Sequence, residues 1–330
     1  MAEETDDPRE VTWHPRHVTN LLGHDAAENR VLSAFASGKI HHAWLITGPQ
    51  GIGKASLAYR FATSVLGSTD TQSRAAHWIS SRAHPDLFVL ERKWDSKAKK
   101  LKSEMAVDDA RQLSEFFGLT AGGGGWRIAI IDTADDLNIA SANALLKLIE
   151  EPPPKSIILL VCNQPGRLLR TIRSRCMSIE LQPLTRESTL AVLKSLPLDE
   201  PPSAEALDMA VTLANGSPGR ALELLGSSGA KSFAAFQSMP RIAPAALIDF
   251  GNRFSSKSTS ADEFEVFCNL LEAWIGAQAR QQAMEGGGQA MAEAYTAIGH
   301  SIRQTNALNL DRRQTVIHAL SLLDEALKTA

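Results

Sequence analysis

Apolar residues fall in short blocks along the first half of the chain and at helical intervals along the second. The blocks "AWLIT" (43–47), "DLFVLE" (86–91), "RIAIID" (127–132), "SIILLVCN" (156–163) and "CMSIEL" (176–181) predict strands, the most apolar of them buried on both faces. Between them, apolar positions three and four apart predict helices at 25–38, from a glycine loop to near Gly67, at 71–81, from near Asp108, and at 138–151, where Pro152, Pro153 and Pro154 stop the chain. Strands alternating with helices imply a parallel sheet covered on both sides, an α/β domain ending near Pro183. After Leu184 no block reads as a strand. "RESTLAVLKSL", "EALDMAVTLA", "FEVFCNLLEAWIGAQARQQAM" and "RRQTVIHALSLLDEAL" all carry the 3.6-residue period, so this part is all-helical. A polar, small-residue stretch at 226–232 divides it. The expected organisation is a loose arm (1–16), the α/β domain (17–184), a small helical domain (185–230) and a larger helical bundle (231–330). There is no internal repeat, and the glycine run at 122–125 is a connector.

Composition narrows the classes without choosing one. The 330 residues are 44% hydrophobic and 22% charged with net charge −3, as in an ordinary globular protein. No apolar run reaches the roughly 20 residues of a membrane span, and "MAEETDDPREVTWHPR" is unlike a secretory signal, so the expectation is a cytoplasmic protein without a membrane partner. Cys162, Cys176 and Cys268 are too few and too scattered for a disulfide framework or a cysteine zinc cluster. Near-neutral charge excludes coating of nucleic acid by bulk charge. Any DNA contact needs a local basic surface.

The chemistry is concentrated in four stretches. In "GPQGIGKAS", Gly48, Gly53 and Lys54 sit at phosphate-loop spacing between a predicted strand and a predicted helix, with Gly51 completing the cradle. The hydroxyl position that normally binds Mg²⁺ is Ala55, and Ser56, one residue on, points about 100° away round the helix. Asp132 ends the strand "RIAIID", where an acid holds Mg²⁺ through water, and Thr133, which cannot serve as a base near neutrality, follows it. "RLLRTIRSRC" gathers Arg167, Arg170, Arg173 and Arg175 before the last strand, either as a solvated edge or as a source of one guanidinium for a neighbour's nucleotide. "NGSPGRALELL" sets Gly219 before Arg220 in the first turn of a helix. His41 and His42 read as positional, and "RKWDSKAKKLK" (92–102), with six basic residues, as a solvated hairpin turn.

"HHAWLITGPQGIGK", "AHPDLFVL", "ANALLKLIEEPPPKSIILLVCN", "RLLRTIRSRC" and "GSPGRALEL", in this order, resemble the AAA+ clamp-loader subunits of bacterial DNA polymerase III, in particular their delta-prime branch. The likeness covers about residues 21–225 and is looser beyond Ser232. It implies a P-loop, RecA-like parallel sheet, an all-α lid domain and an all-α C-terminal collar. It also implies that Arg175, in the "SRC" motif, completes a neighbour's ATP site in trans, and that Asn163 and Arg220 occupy the sensor 1 and sensor 2 positions. The implied partners are gamma/tau and delta subunits in a hetero-pentamer, the sliding clamp, and primed DNA. Two departures matter. The residue after Asp132, usually Glu in AAA+ ATPases, is Thr133, and the insertion after the P-loop helix, 67–84, lacks the cysteines of the zinc module that many members carry. The sequence therefore reads as a stator of DNA polymerase III with a degenerate ATPase site: weak ATP or ADP binding, Mg²⁺ at most with nucleotide, and no zinc. The alternatives are a gamma/tau-like motor and a P-loop kinase acting on a small molecule.

Overall fold

The computed structural model describes residues 11–18, 20–67, 73–95, 100–102, 104–105, 107–118, 125–198, 201–239, 244–255, 261–284 and 286–329. It divides into two compact units, residues 1–199 with 216–219, and residues 200–215 with 220–330.

The first unit opens with a short 3₁₀ turn, Pro15–His17, and α1 (Asp25–Ala36). β1 (Ala43–Thr47), α2 (Lys54–Leu66), α3 (Arg74–Ser80) and β2 (Leu87–Glu91) follow, then a small hairpin of β3 (Trp94–Asp95) and β4 (Lys100–Leu101). Next come α4 (Val107–Gly118), β5 (Arg127–Asp132), α5 (Ile139–Glu150), β6 (Ser156–Cys162), α6 (Arg170–Arg173), β7 (Met177–Glu180) and α7 (Arg186–Ser195). Part of the lysine-rich stretch, 96–99, lies outside the described residues, as do Thr71 and Gln72 at the expected start of α3 and residues 122–124 of the glycine run.

Five strands form one parallel sheet in the order β2-β5-β6-β1-β7. Side chains alternate across it, so two cores result. Trp44, Ile46, Ile130, Leu159 and Ile179 face one layer with Val31 of α1, Leu57 and Phe61 of α2, and Ile79 of α3. Leu45, Ile131, Ile158 and Leu160 face the other with Leu113 of α4, Leu145 and Ile149 of α5, and Ile172 of α6. Burial of both faces explains why β6 reads as an unbroken apolar run, and each fully buried Leu or Ile contributes about 1.5–3 kcal/mol. α5 starts where Asn138 accepts the Ser141 amide at 2.9 Å, and the prolines that follow exclude further helix. Docking of the chain begins within the segment read as a loose arm. His14 is buried, packs edge-on to Tyr59 of α2, and meets Arg82, so an aromatic-rich stretch after the acidic start is fixed to the P-loop helix.

The second unit contains α8 (Ala204–Ala214), most of α9 (Pro218–Gly226), α10 (Ser228–Gln237), α11 (Pro244–Asn252), α12 (Ala261–Met284), α13 (Gln289–Leu308) and α14 (Arg312–Thr329). Its core is an aromatic cluster. Phe254 and Phe267 stand 4.7 Å apart by ring centroid, flanked by Phe233, Phe236, Phe250 and Phe264, and Met209 of α8 joins the same core. Ser203 and Ser227 cap α8 and α10 by accepting the Ala206 and Ala230 amides.

Candidate nucleotide site and arginine edge

The loop after β1 has the backbone of a phosphate cradle. Gly48, Gly51 and Gly53 have φ of +141°, +76° and +108°, left-handed values at which a side chain is strained. Gly48 has a second constraint, because a Cβ there would lie 2.5 Å from the Leu181 carbonyl oxygen. Successive amides in such a loop, running into the N-terminus of α2, form an anion-binding concavity. Lys54 opens α2 and is 4% exposed; its Nζ donates to the Gly48 carbonyl at 2.9 Å and to Pro49. Burial lowers its pKa to about 8 against the opposing pull of Asp132 and Asp135. Ala55 packs toward the sheet core and Ser56 is buried, so neither gives the loop a hydroxyl at the usual metal position.

The acidic side of the site is built at the ends of β5 and β6. Asp132, half-buried, stands in register with Glu91 of β2 and Val161 of β6. Thr133 does not substitute for a base; its hydroxyl donates to Asp136 at 3.1 Å, and Asp136 also pairs with Arg92 at 2.9 Å. Asp135 is a residue the sequence reading missed. It is buried, accepts the Asn163 amide at 2.9 Å and hydrogen-bonds Cys162, whose thiol burial, reinforced by that carboxylate, pushes up to about 12. Lys54, Asp132, Asp135 and Asn163 thus come together at the carboxyl ends of three neighbouring strands, where open α/β sheets bind ligands. The phosphate half of a nucleotide fits these residues. The Mg²⁺ half is left with Asp132 and no hydroxyl at position 55. Among the described residues, no group of three or more His, Cys, Asp and Glu gathers to hold a metal.

Two further supports of the loop rest on contacts that no motif records. The Ser217 hydroxyl donates to the Gln50 carbonyl and the Gly219 amide to the Gly51 carbonyl, both at 2.8 Å, so the start of α9 and the residue before it grip the loop from outside. Only glycine fits there, since a Cβ on Gly219 would lie 2.7 Å from Gly51 Cα. The buried His24 ring meets the Ile52 carbonyl at 2.7 Å through Nε2, and beside it a cavity of about 270 Å³ is lined by Gly23, His24, Ala27, Leu181, Pro183 and Thr185. Arg220 is exposed in the first turn of α9 and belongs to the second unit. His41 and His42 stack at 4.3 Å, and His42 meets the Ile149 carbonyl, a positional role at the entry to β1.

The arginine-rich stretch lies at an edge of the sheet. Arg167, Arg170, Arg173 and Arg175 are all exposed, around α6 and just before the edge strand β7. Arg175 is anchored at two points: it donates to the Thr171 carbonyl at 3.2 Å and pairs with Glu150 at 3.1 Å, with 44% of its side chain still accessible.

A parallel sheet of this order, with a glycine cradle after its first strand and an acid ending β5, defines a P-loop protein of the AAA+ class. Residues 23–185 match the family model described as "DNA polymerase III, delta subunit". That match takes in just under half of the chain, and the curated relatives it resembles include delta' subunits of DNA polymerase III. The chain is 37% identical over 192 residues to DNA polymerase III subunit delta' of Pseudomonas aeruginosa, covering 56% of each chain. It is 31% identical to the Escherichia coli delta' subunit, over 59% of this chain and 58% of that one. The Escherichia coli tau subunit is 29% identical over 64% of this chain and 33% of its own. The chain thus spans less than two thirds of the length of these relatives. A gamma subunit-related protein of Thermotoga maritima aligns in structure over 92% of this chain and 98% of that one, with 12% identity and a TM-score of 0.41.

Proposed function

We propose that this chain is a clamp-loader subunit that acts as a stator: it organises its neighbours, donates Arg175 to the ATP site of an adjacent subunit, and hydrolyses ATP poorly itself. The observation that carries the reading is the exposed, anchored guanidinium of Arg175 beside an edge strand, in a chain whose residues 23–185 match a DNA polymerase III subunit family. A planar fork of donors presented outward suits charge that develops as a γ-phosphate leaves. The internal site supports the other half. Gly48, Gly51, Gly53 and Lys54 suit a phosphate chain, whereas Ala55 and Thr133 supply neither metal ligand nor base. Weak ATP or ADP binding, with Mg²⁺ held through Asp132 alone, follows from that donor set. Asn163 and Arg220 take the two sensor roles, and Ser56 takes none.

In the proposed assembly the partners are gamma/tau and delta subunits in a hetero-pentamer, with the sliding clamp and primed DNA reached through the complex. The proposed domains are the AAA+ domain at 17–184, a lid at 185–230 and a collar at 231–330, and the compartment is the cytoplasm. Among the described residues no helix is long and apolar enough to cross a membrane. The motor reading has the similarity to gamma and tau subunits in its favour and the same two residues against it. The test is mixing the purified chain with gamma/tau and delta subunits, followed by size measurement and clamp-stimulated ATP hydrolysis. Co-elution in one complex with hydrolysis that requires this chain is expected. No association, or equal hydrolysis without the chain, would refute the stator role.

A further inference from the structure

Glu150 is the last residue of α5, where a carboxylate faces the negative end of the helix dipole. Local helix chemistry gives no reason for an acid there. Its counterpart is Arg175, twenty-five residues on, whose Nη2 lies 3.1 Å from Glu150 Oε1. The same guanidinium donates through Nη1 to the Thr171 carbonyl at 3.2 Å and, more weakly, to the Ser174 hydroxyl at 3.5 Å. The carbonyl belongs to α6, and α6 and α5 are both packed on the sheet through Ile172 and Ile149, so the two anchors are rigid relative to each other. A guanidinium has five N–H donors in one plane. Two directions are taken by Thr171 and Glu150, which fixes the plane, while the rest of the group stays open to solvent, Arg175 and Glu150 being 44% and 43% accessible.

From this geometry we infer that Glu150 is a positioning residue for Arg175: it holds the guanidinium in a set orientation before a neighbouring subunit docks. The inference rests on the reading of Arg175 as a group acting in trans. An arginine free to sample its rotamers must be ordered when the transition state forms, and a carboxylate that orders it beforehand raises the rate of the neighbour's hydrolysis without touching its nucleotide. Half-exposed pairs of this kind are weak, so the effect is modest. It is separate from the effect of removing the arginine.

The test is single-turnover hydrolysis of Mg·ATP by the reconstituted complex carrying wild-type chain, Glu150→Ala, Glu150→Gln, Arg175→Ala, or Arg175→Ala with Glu150→Ala. Glu150→Ala is expected to lower the rate about twofold to fivefold with the ATP concentration for half-maximal rate unchanged. Gln, which keeps an acceptor oxygen without the charge, falls between and carries the test if the alanine variant does not assemble. In the Arg175→Ala background, Glu150→Ala is expected to change nothing. A slow Arg175→Ala complex with Glu150 variants at the wild-type rate or faster would overturn the positioning role. So would a further loss on adding Glu150→Ala to Arg175→Ala, which would make Glu150 structural. Wild-type rate in Arg175→Ala itself would refute the trans reading on which the proposal stands.

Discussion

The loop after β1 and the approach to β7 are two ends of one sheet's chemistry, and they are built in opposite ways. Lys54 is 4% exposed and spends its ammonium on the carbonyls of its own loop, while the Arg175 side chain is 44% accessible and held at its rim by the Thr171 carbonyl and the Glu150 carboxylate. The loop is also gripped from outside by Ser217, Gly219 and His24. A site that must cycle through binding, hydrolysis and release needs groups that are free to change partners. The loop has been committed to its own scaffold, and the edge has been left available. The glycines of the loop also have a structural use of their own. Gly48 and Gly219 are required by packing against Leu181 and Gly51, whether or not a nucleotide binds.

The largest expected effect breaks or supports that last point. Gly48→Ala places a methyl group 2.5 Å from a carbonyl oxygen at a left-handed φ, and should lower the unfolding free energy of the chain by about 2–4 kcal/mol, read by urea denaturation. Wild-type stability would mean that the glycine is kept for a ligand alone. Next in size is Ala55→Ser, which returns a hydroxyl to the metal position. It should make ADP affinity depend on Mg²⁺, by about tenfold, where the wild-type chain shows little change by calorimetry. A wild-type response already that strong would show that the acids at Asp132 and Asp135 hold the metal unaided.

The smallest effect is a pH dependence. Lys54 titrates near pH 8, well below its unfolded value, so above that pH the folded loop loses its positive charge. Affinity for ADP should fall severalfold between pH 7 and pH 9, and the fall should vanish in Lys54→Ala. Stability moves the other way. Between the folded and unfolded pKa values the unfolded chain binds more protons, so the lysine's contribution to stability rises with pH across that window. A pH-independent affinity in the wild-type chain would mean that Lys54 does not face the phosphates.

Much of the scaffold was legible because it rests on local patterns. The five strands and the helices between them follow from apolar runs and 3.6-residue spacing, and the proline stop after α5 falls where the structure has it. Strand order was not legible in periodicity, since β1 pairs with β6 and β7 across more than a hundred residues. The candidate cradle residues and Asp132 were singled out from their spacing on either side of a strand end. Asp135, His24, Ser217 and Glu150 were missed for one reason: each acts through a backbone group or a partner far along the chain, and no short motif records such a contact. His14 was passed over because an acidic, proline-bearing start looks loose, although its ring packs on Tyr59.

The most direct test of the account compares its two ends in one assembly. Steady-state, clamp- and DNA-stimulated ATP hydrolysis is measured for complexes of equal composition carrying wild-type chain, Lys54→Ala or Arg175→Ala. The account predicts hydrolysis unchanged by Lys54→Ala and clearly lowered by Arg175→Ala, with Arg175→Lys no better than alanine because a point charge cannot supply the planar fork. Hydrolysis lost with Lys54→Ala and retained with Arg175→Ala would contradict it and make the chain a motor.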